Sequence, residues 1–115
     1  MRIHHAALRT ADVEQLQSFY AGVLGLSVRR GARDGSVWLD AEGTVLMIER
    51  AAVGEPAVTR GTMDLLAFTM GEESKEAWRE RIERFGIRIE AETAYTLYFR
   101  DPDGRRVAVS DYPFP

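Results

Sequence analysis

The chain has 115 residues, and a chain of that length buries roughly two thirds of its unfolded surface, enough for one domain without metal or disulfide staples. It has no cysteine, and its net charge of −3 comes from 15 basic and 18 acidic residues spread along the sequence, which excludes thiolate chemistry and argues against a nucleic-acid partner. No apolar run approaches the roughly 20 residues that span a bilayer, and the opening residues MRIHHAALRTAD lack the pattern of a signal peptide, so no membrane partner and a cytoplasmic location are expected.

The first strand is RIHHAALR, ending before Asp12, an N-cap type with Gln15 three positions on. In DVEQLQSFYAGVL, Val13, Leu16, Phe19, Tyr20, Val23 and Leu24 recur at helical spacing, and Gly25 supplies a left-handed stop. Three strands follow, LSVRR, SVWLD and TVLMIER, separated by turns at Arg33-Asp34-Gly35 and Ala41-Glu42-Gly43. Residues 51–62 read as a connector, with Gly54, Pro56 and Gly61. The plan then repeats: strand MDLLAFTM, helix SKEAWRERIERF with Ala77, Trp78, Ile82 and Phe85 inward, a stop at Gly86, and strands IRIEAE, YTLYFR and RRVAVSD.

Leu24-Gly25 matches Phe85-Gly86, and the turn from Asp40 to Gly43 matches that from Asp101 to Gly104, both at an offset of 61. The expected fold is therefore α+β: a single domain of two tandem βαβββ modules, 1–50 and 63–112, forming a curved, half-barrel-like mixed sheet with helices outside. Alternation along each strand places His5, Ala7 and Arg9, then Val45, Met47 and Glu49, on one face, and Leu65, Ala67 and Thr69, then Arg106, Ala108 and Ser110, on its counterpart. These mixed-polarity sets are expected to line the concave side, while Leu46, Ile48, Leu66, Phe68, Val107 and Val109 pack under the helices. Trp38 and Phe99, matched by the same offset, are also expected under the helices.

The stretches HAALRTADVEQLQSFYAGVLGL and LYFRDPDGRRVAV, with MDLLAFTM between them, resemble the vicinal oxygen chelate superfamily of glyoxalases, bleomycin resistance proteins and dioxygenases. In its metal-dependent members the ligands come from the first and last strands of each module. Carried over by position, that resemblance implies His5, Met47, Leu65 and Ala108, of which His5 alone is a ligand type for a hard divalent ion. It also implies a carboxylate-contacting role for Arg9, whose alternative reading is a rim arginine paired with Glu49 or another acid, and a pocket role for Tyr98, with Thr96 on the same face.

The expected function is metal-free binding of a small anionic organic molecule by His5, Arg9, Met47, Leu65, Thr96, Tyr98 and Ala108, in a homodimer and with no cofactor. One alternative is a divalent-metal-dependent lyase, isomerase or dioxygenase with displaced ligands. Another is a non-catalytic interaction module. Should acid/base chemistry occur, its candidates are His5, Glu49 and Tyr98.

Overall fold

Asp12 caps the first helix as its residue type predicts: its Oδ1 accepts the Gln15 amide hydrogen bond at 3.0 Å, satisfying an N–H that the helix leaves unpaired. The computed structural model describes residues 1–31 and 35–115. Arg33 and Asp34 of the expected turn lie outside the described residues. The elements run β1 (His5–Thr10), α1 (Val13–Gln17), a π-helical segment (Ser18–Val23), β2 (Ser27–Gly31), β3 (Val37–Asp40) and β4 (Val45–Arg50). They continue as β5 (Leu65–Thr69), α2 (Lys75–Arg84), β6 (Ala91–Glu92), β7 (Thr96–Arg100) and β8 (Arg106–Ser110).

This order is the expected duplicated β-α-β-β-β plan, and the chain divides into two compact units, Met1–Ala57 and Val58–Pro115. In the first, the sheet order is β1-β4-β3-β2, with β1 parallel to β4 and the other pairs antiparallel. The second repeats it as β5-β8-β7-β6 with the same mixture of directions. Each parallel pair brings the first and last strands of a module side by side. That adjacency is what gathers residues distant in sequence onto one sheet face.

The apolar stripe of the first helical run buries Val13, Leu16, Phe19, Tyr20, Val23 and Leu24 beside Leu39, Leu46 and Ile48 of the sheet. In the second unit Trp78 and Ile82 of α2 are buried, with Leu97, Phe99, Val107 and Val109 on the strands. Trp78 also donates its indole N–H to the Met70 carbonyl at 2.9 Å, so its one polar group is satisfied inside the core. The helix face is narrower than expected, because Phe85 is 53% exposed.

The strand expected over IRIEAE shrinks to Ala91–Glu92. Its first residues are used by the helix stop: Gly86 N–H bonds to Glu83 O at 2.9 Å and Ile87 N–H to Ile82 O at 3.3 Å, with Gly86 at φ 77°. This is the paired bonding of a Schellman motif, and it satisfies carbonyls that would otherwise be orphaned at the helix end.

One expectation about the faces is overturned. Trp38 pairs with Met47 and therefore shares the face away from the helix, whereas Phe99 pairs with Val107 on the helix side and is fully buried. Leu39, also fully buried, takes the place expected for Trp38, and the true counterpart of Trp38 is Tyr98, which pairs with Ala108. The cause is turn length. Residues 41–44 join β3 to β4, but residues 101–105 join β7 to β8. In the shorter turn Glu42 and Gly43 both have positive φ, 51° and 93°, and Ala41 N–H bonds to Thr44 O, the two-residue hairpin geometry of type I′. Pro102 cannot adopt a positive φ, so the second hairpin uses a Gly104 N–H to Asp101 O turn with Gly104 at φ 93° and one residue more. The match of Asp40 with Asp101 fails for the same reason: Asp40 is an exposed strand residue, Asp101 a buried turn residue.

Candidate functional site

In the first unit, the register His5 with Val45, Ala7 with Met47 and Arg9 with Glu49 puts all six side chains on the sheet face away from the helix, where Trp38 joins them. His5 is exposed, and its Nδ1 lies 2.9 Å from Nδ1 of His4, the rings meeting edge to face at 79°. One imidazole donates to the other there. Met47 is half-buried, and Glu49 lies 3.7 Å from the Arg9 guanidinium.

Arg9 is held chiefly by Glu55, a residue of the connector. Its Nε and Nη2 donate to the two Glu55 carboxylate oxygens at 3.1 and 2.7 Å, a bidentate pair. The Arg9 hydrogen bonds, then the Ala52 amide, hold the Glu55 carboxyl at about 2, below its ordinary 4.5. Of the two readings of Arg9, its observed contacts are those of the ion-paired rim arginine. A carboxyl lowered on folding adds stability that is complete above about 4.5 and is lost as pH falls toward 2. The stability of the Glu55→Gln protein, measured by urea unfolding through that window, is expected to fall less steeply than that of the parent. Parallel curves would refute the coupling, and added salt is expected to shrink the difference because the pair is exposed.

In the second unit the corresponding face carries Leu65, Ala67 and Thr69 of β5, Arg106, Ala108 and Ser110 of β8, and Thr96, Tyr98 and Arg100 of β7. Leu65 is 44% exposed, while Ala108 is fully buried and Thr96 nearly so. The Thr96 and Ser110 hydroxyls are hydrogen-bonded at 2.7 Å. Of the expected lining in this unit, Leu65 and Tyr98 therefore offer contact surface, and Ala108 and Thr96 almost none.

The charged groups on this face differ in how far they are committed. Arg100 donates from Nε to Glu90 at 2.9 Å and from Nη1 to the carbonyls of Thr62 and Gly104 at 2.6 and 3.1 Å. Arg106 donates from Nε to the other Glu90 oxygen at 3.1 Å, and its guanidinium lies 4.2 Å from the Tyr98 ring centroid. Hydrogen bonds from Arg100 first and Arg106 second hold the Glu90 carboxyl below its ordinary range. Sequence reasoning missed the roles of Glu55 and Glu90, and it placed Trp38 on the wrong face. Local pattern carried no signal for the two glutamates, but Pro102 marked the longer turn that moves Trp38.

The positions that the family resemblance assigns to a metal hold an imidazole, a thioether and two hydrocarbon side chains, which does not fit a hard divalent ion. Among the described residues no three His, Asp or Glu side chains gather into a possible metal cluster. A separate cleft of about 550 Å³, lined by Arg79, Glu83, Arg88, Ile89, Glu90, Ala91 and Glu92, lies beside α2 and β6. Its Arg79 is bonded to Glu92 at 2.7 Å and Glu76 at 3.3 Å, so that guanidinium is already matched by carboxylates. Among the described residues, no helix is long and apolar enough to cross a membrane.

The model of the Glyoxalase/Bleomycin resistance protein/Dioxygenase superfamily matches residues 2–109. Among solved structures, lactoylglutathione lyase from Agrobacterium tumefaciens is similar at 24% identity and a TM-score of 0.73, covering 95% of this chain and 92% of that one. A mutant of the fosfomycin resistance protein FosX from Listeria monocytogenes, in complex with Mn(II) and 1S,2S-dihydroxypropylphosphonic acid, reaches a TM-score of 0.82 at 17% identity, over 99% of this chain and 93% of that one. An integron cassette protein from the mobile metagenome of V. Cholerae gives a TM-score of 0.78 at 22% identity, over 98% and 96%. No curated protein matches the chain at the level of sequence.

Proposed function

The chain belongs to the Glyoxalase/Bleomycin resistance protein/Dioxygenase superfamily, and from that premise we propose that it binds a small anionic organic molecule without the divalent metal used by many of its relatives. The observation that carries this reading is the donor set at the four positions implied as metal ligands: His5, Met47, Leu65 and Ala108. A thioether is a ligand for soft ions, and leucine and alanine offer no donor at all. On the second unit's sheet face Arg100 and Arg106 share the single carboxylate of Glu90, and the positive charge left over favours an anion over a cation. The phosphonic acid in the FosX mutant is a case of an anion on this fold, present there together with Mn(II).

No covalent step belongs to the proposal: the role is retention of an intact ligand. Within the first unit His5 shares its sheet face with Met47 and the newly placed Trp38, and within the second Tyr98 shares its face with Leu65, so each face pairs an orienting group with apolar contact. A homodimer is part of the same proposal, since sheet edges at β2 and β6 invite strand pairing with a second copy. Light scattering at twice the mass of one chain supports it, and a monomer over the working concentration range refutes it.

Two measurements decide the binding proposal: metal analysis of protein purified without chelators, and a thermal-shift screen of divalent metals and small organic acids. The expected result is stabilisation by an organic acid that is indifferent to metal. Stoichiometric, tightly held Mn, Fe, Ni or Zn that is lost in His5→Ala would overturn the metal-free reading in favour of a displaced metal site. A flat response to every acid would favour an interaction module.

A further inference from the structure

Arg106 is the basic side chain on the second unit's sheet whose binding edge is left open. Its neighbour Arg100 is tied to Glu90 and to two backbone carbonyls. Arg9, in the first unit, is matched by Glu55 and Glu49. Arg106 spends only Nε, on Glu90, and among the described residues its two terminal nitrogens meet no acceptor. Yet the side chain is just 15% exposed. Partly desolvated guanidinium N–H groups without acceptors are costly, which makes them a strong receptor for an anion that completes them.

Stacking explains how the group is held ready. A guanidinium lying on a tyrosine ring uses its π face for the contact and keeps its N–H groups in plane for acceptors. With the ring centroid at 4.2 Å and Nε fixed by Glu90, orientation is set before any ligand arrives, so little entropy is lost on binding. The remaining edge, Nη1 and Nη2, is the fork that matches the two oxygens of a carboxylate. Arg100, Arg106 and Glu90 together carry one net positive charge, so Glu90 reduces the attraction without cancelling it. Beside the fork lie apolar groups: Leu65, the cross-strand partner of Arg106, and Ala67, both exposed.

We propose that the terminal fork of Arg106, stacked on Tyr98, is the anchor for the carboxylate of an apolar monocarboxylic acid whose hydrocarbon body lies over Leu65 and Ala67. This assignment rests on the binding function proposed above, names its ligand class, and moves the anion-recognising role from Arg9 to Arg106. The oxygens of the carboxylate accept from Nη1 and Nη2, while Nε stays on Glu90.

The test is a ¹⁵N NMR titration of the full chain at low salt with benzoate, with benzamide as its neutral control and inorganic phosphate as a second anion. Benzoate is expected to shift the Arg106 Nε–H signal and the amides of Leu65, Ala67 and Arg106, and benzamide to leave them in place. Arg106→Lys keeps the charge but loses the fork, and is expected to weaken benzoate at least about tenfold. Glu90→Gln, which removes the competing carboxylate and spares Arg106, is expected to tighten it about threefold or more, giving a reading even if the Arg106 variant unfolds. Benzoate shifts confined to residues around Arg9, or undiminished in Arg106→Lys, would overturn this assignment and leave the binding function standing. Equal shifts with phosphate would overturn the monocarboxylate class. Silence from benzoate, phosphate and benzamide on both sheet faces would overturn the assignment, while the binding function is overturned by a flat response to every acid of the thermal-shift screen.

Discussion

Asp101→Ala is expected to cost about 3–5 kcal/mol of stability, the range for removing one partner of a buried ion pair. The Asp101 carboxylate has no exposed surface and is satisfied on both oxygens. Oδ1 accepts the amides of Asp103 and Arg105 at 2.9 and 3.0 Å, and Oδ2 accepts Arg105 Nη1 at 3.1 Å. Truncation strands two backbone N–H groups at the hairpin that sets the register of β7 against β8, and removes a partner of a guanidinium that is only 16% exposed. Asp101→Asn keeps an acceptor for the amides but not the charge, and is expected to lose a smaller part, about 1.5–3 kcal/mol. Urea unfolding of the three proteins checks the order. A loss below about 1 kcal/mol in Asp101→Ala would show that water replaces the carboxylate and that the turn is not held by it.

Phe99→Ala is expected to cost a comparable amount, about 3–5 kcal/mol, because a fully buried aromatic leaves a cavity that its neighbours fill only in part. Phe99 lies beside Val107 on the helix side of the sheet, where Leu97, Val109 and Ile82 are also fully buried. Tyr98, one residue earlier, points to the opposite face and is half-exposed, so Tyr98→Ala is expected to cost clearly less. Thermal or urea unfolding of the two variants tests the assignment of faces directly. Equal losses would mean that the two sides of this sheet are packed alike.

The same alternation shows how far local pattern reaches. The helical spacing of Val13, Leu16, Phe19, Tyr20, Val23 and Leu24 identified the buried stripe of the first unit residue by residue. The alternation in LLAFT separated exposed Leu65, Ala67 and Thr69 from half-buried Leu66 and Phe68. Where reading failed, a turn intervened. Aligning the two Asp-to-Gly turns at a constant offset assumed equal hairpins, and a single extra residue flips every upstream side chain to the other face. Pro102 was the warning, since it forbids the positive φ that Glu42 adopts.

By itself, then, the sequence determined the duplicated plan, the helix cap at Asp12, the glycine stops, and which residues of each strand share a side. These follow from periodicity and from backbone preferences that act within a few residues. The tertiary structure decided which arginines keep a usable charge. Glu55 reaches Arg9 across 46 residues because β4, parallel to β1, delivers the connector beside it, and Glu90 reaches Arg106 across 16 because β7 pairs antiparallel with both β6 and β8. Ion pairs, stacking and desolvation depend on distances in space, to which local sequence spacing is blind. The open fork of Arg106 over Tyr98 therefore emerged only from the folded sheet.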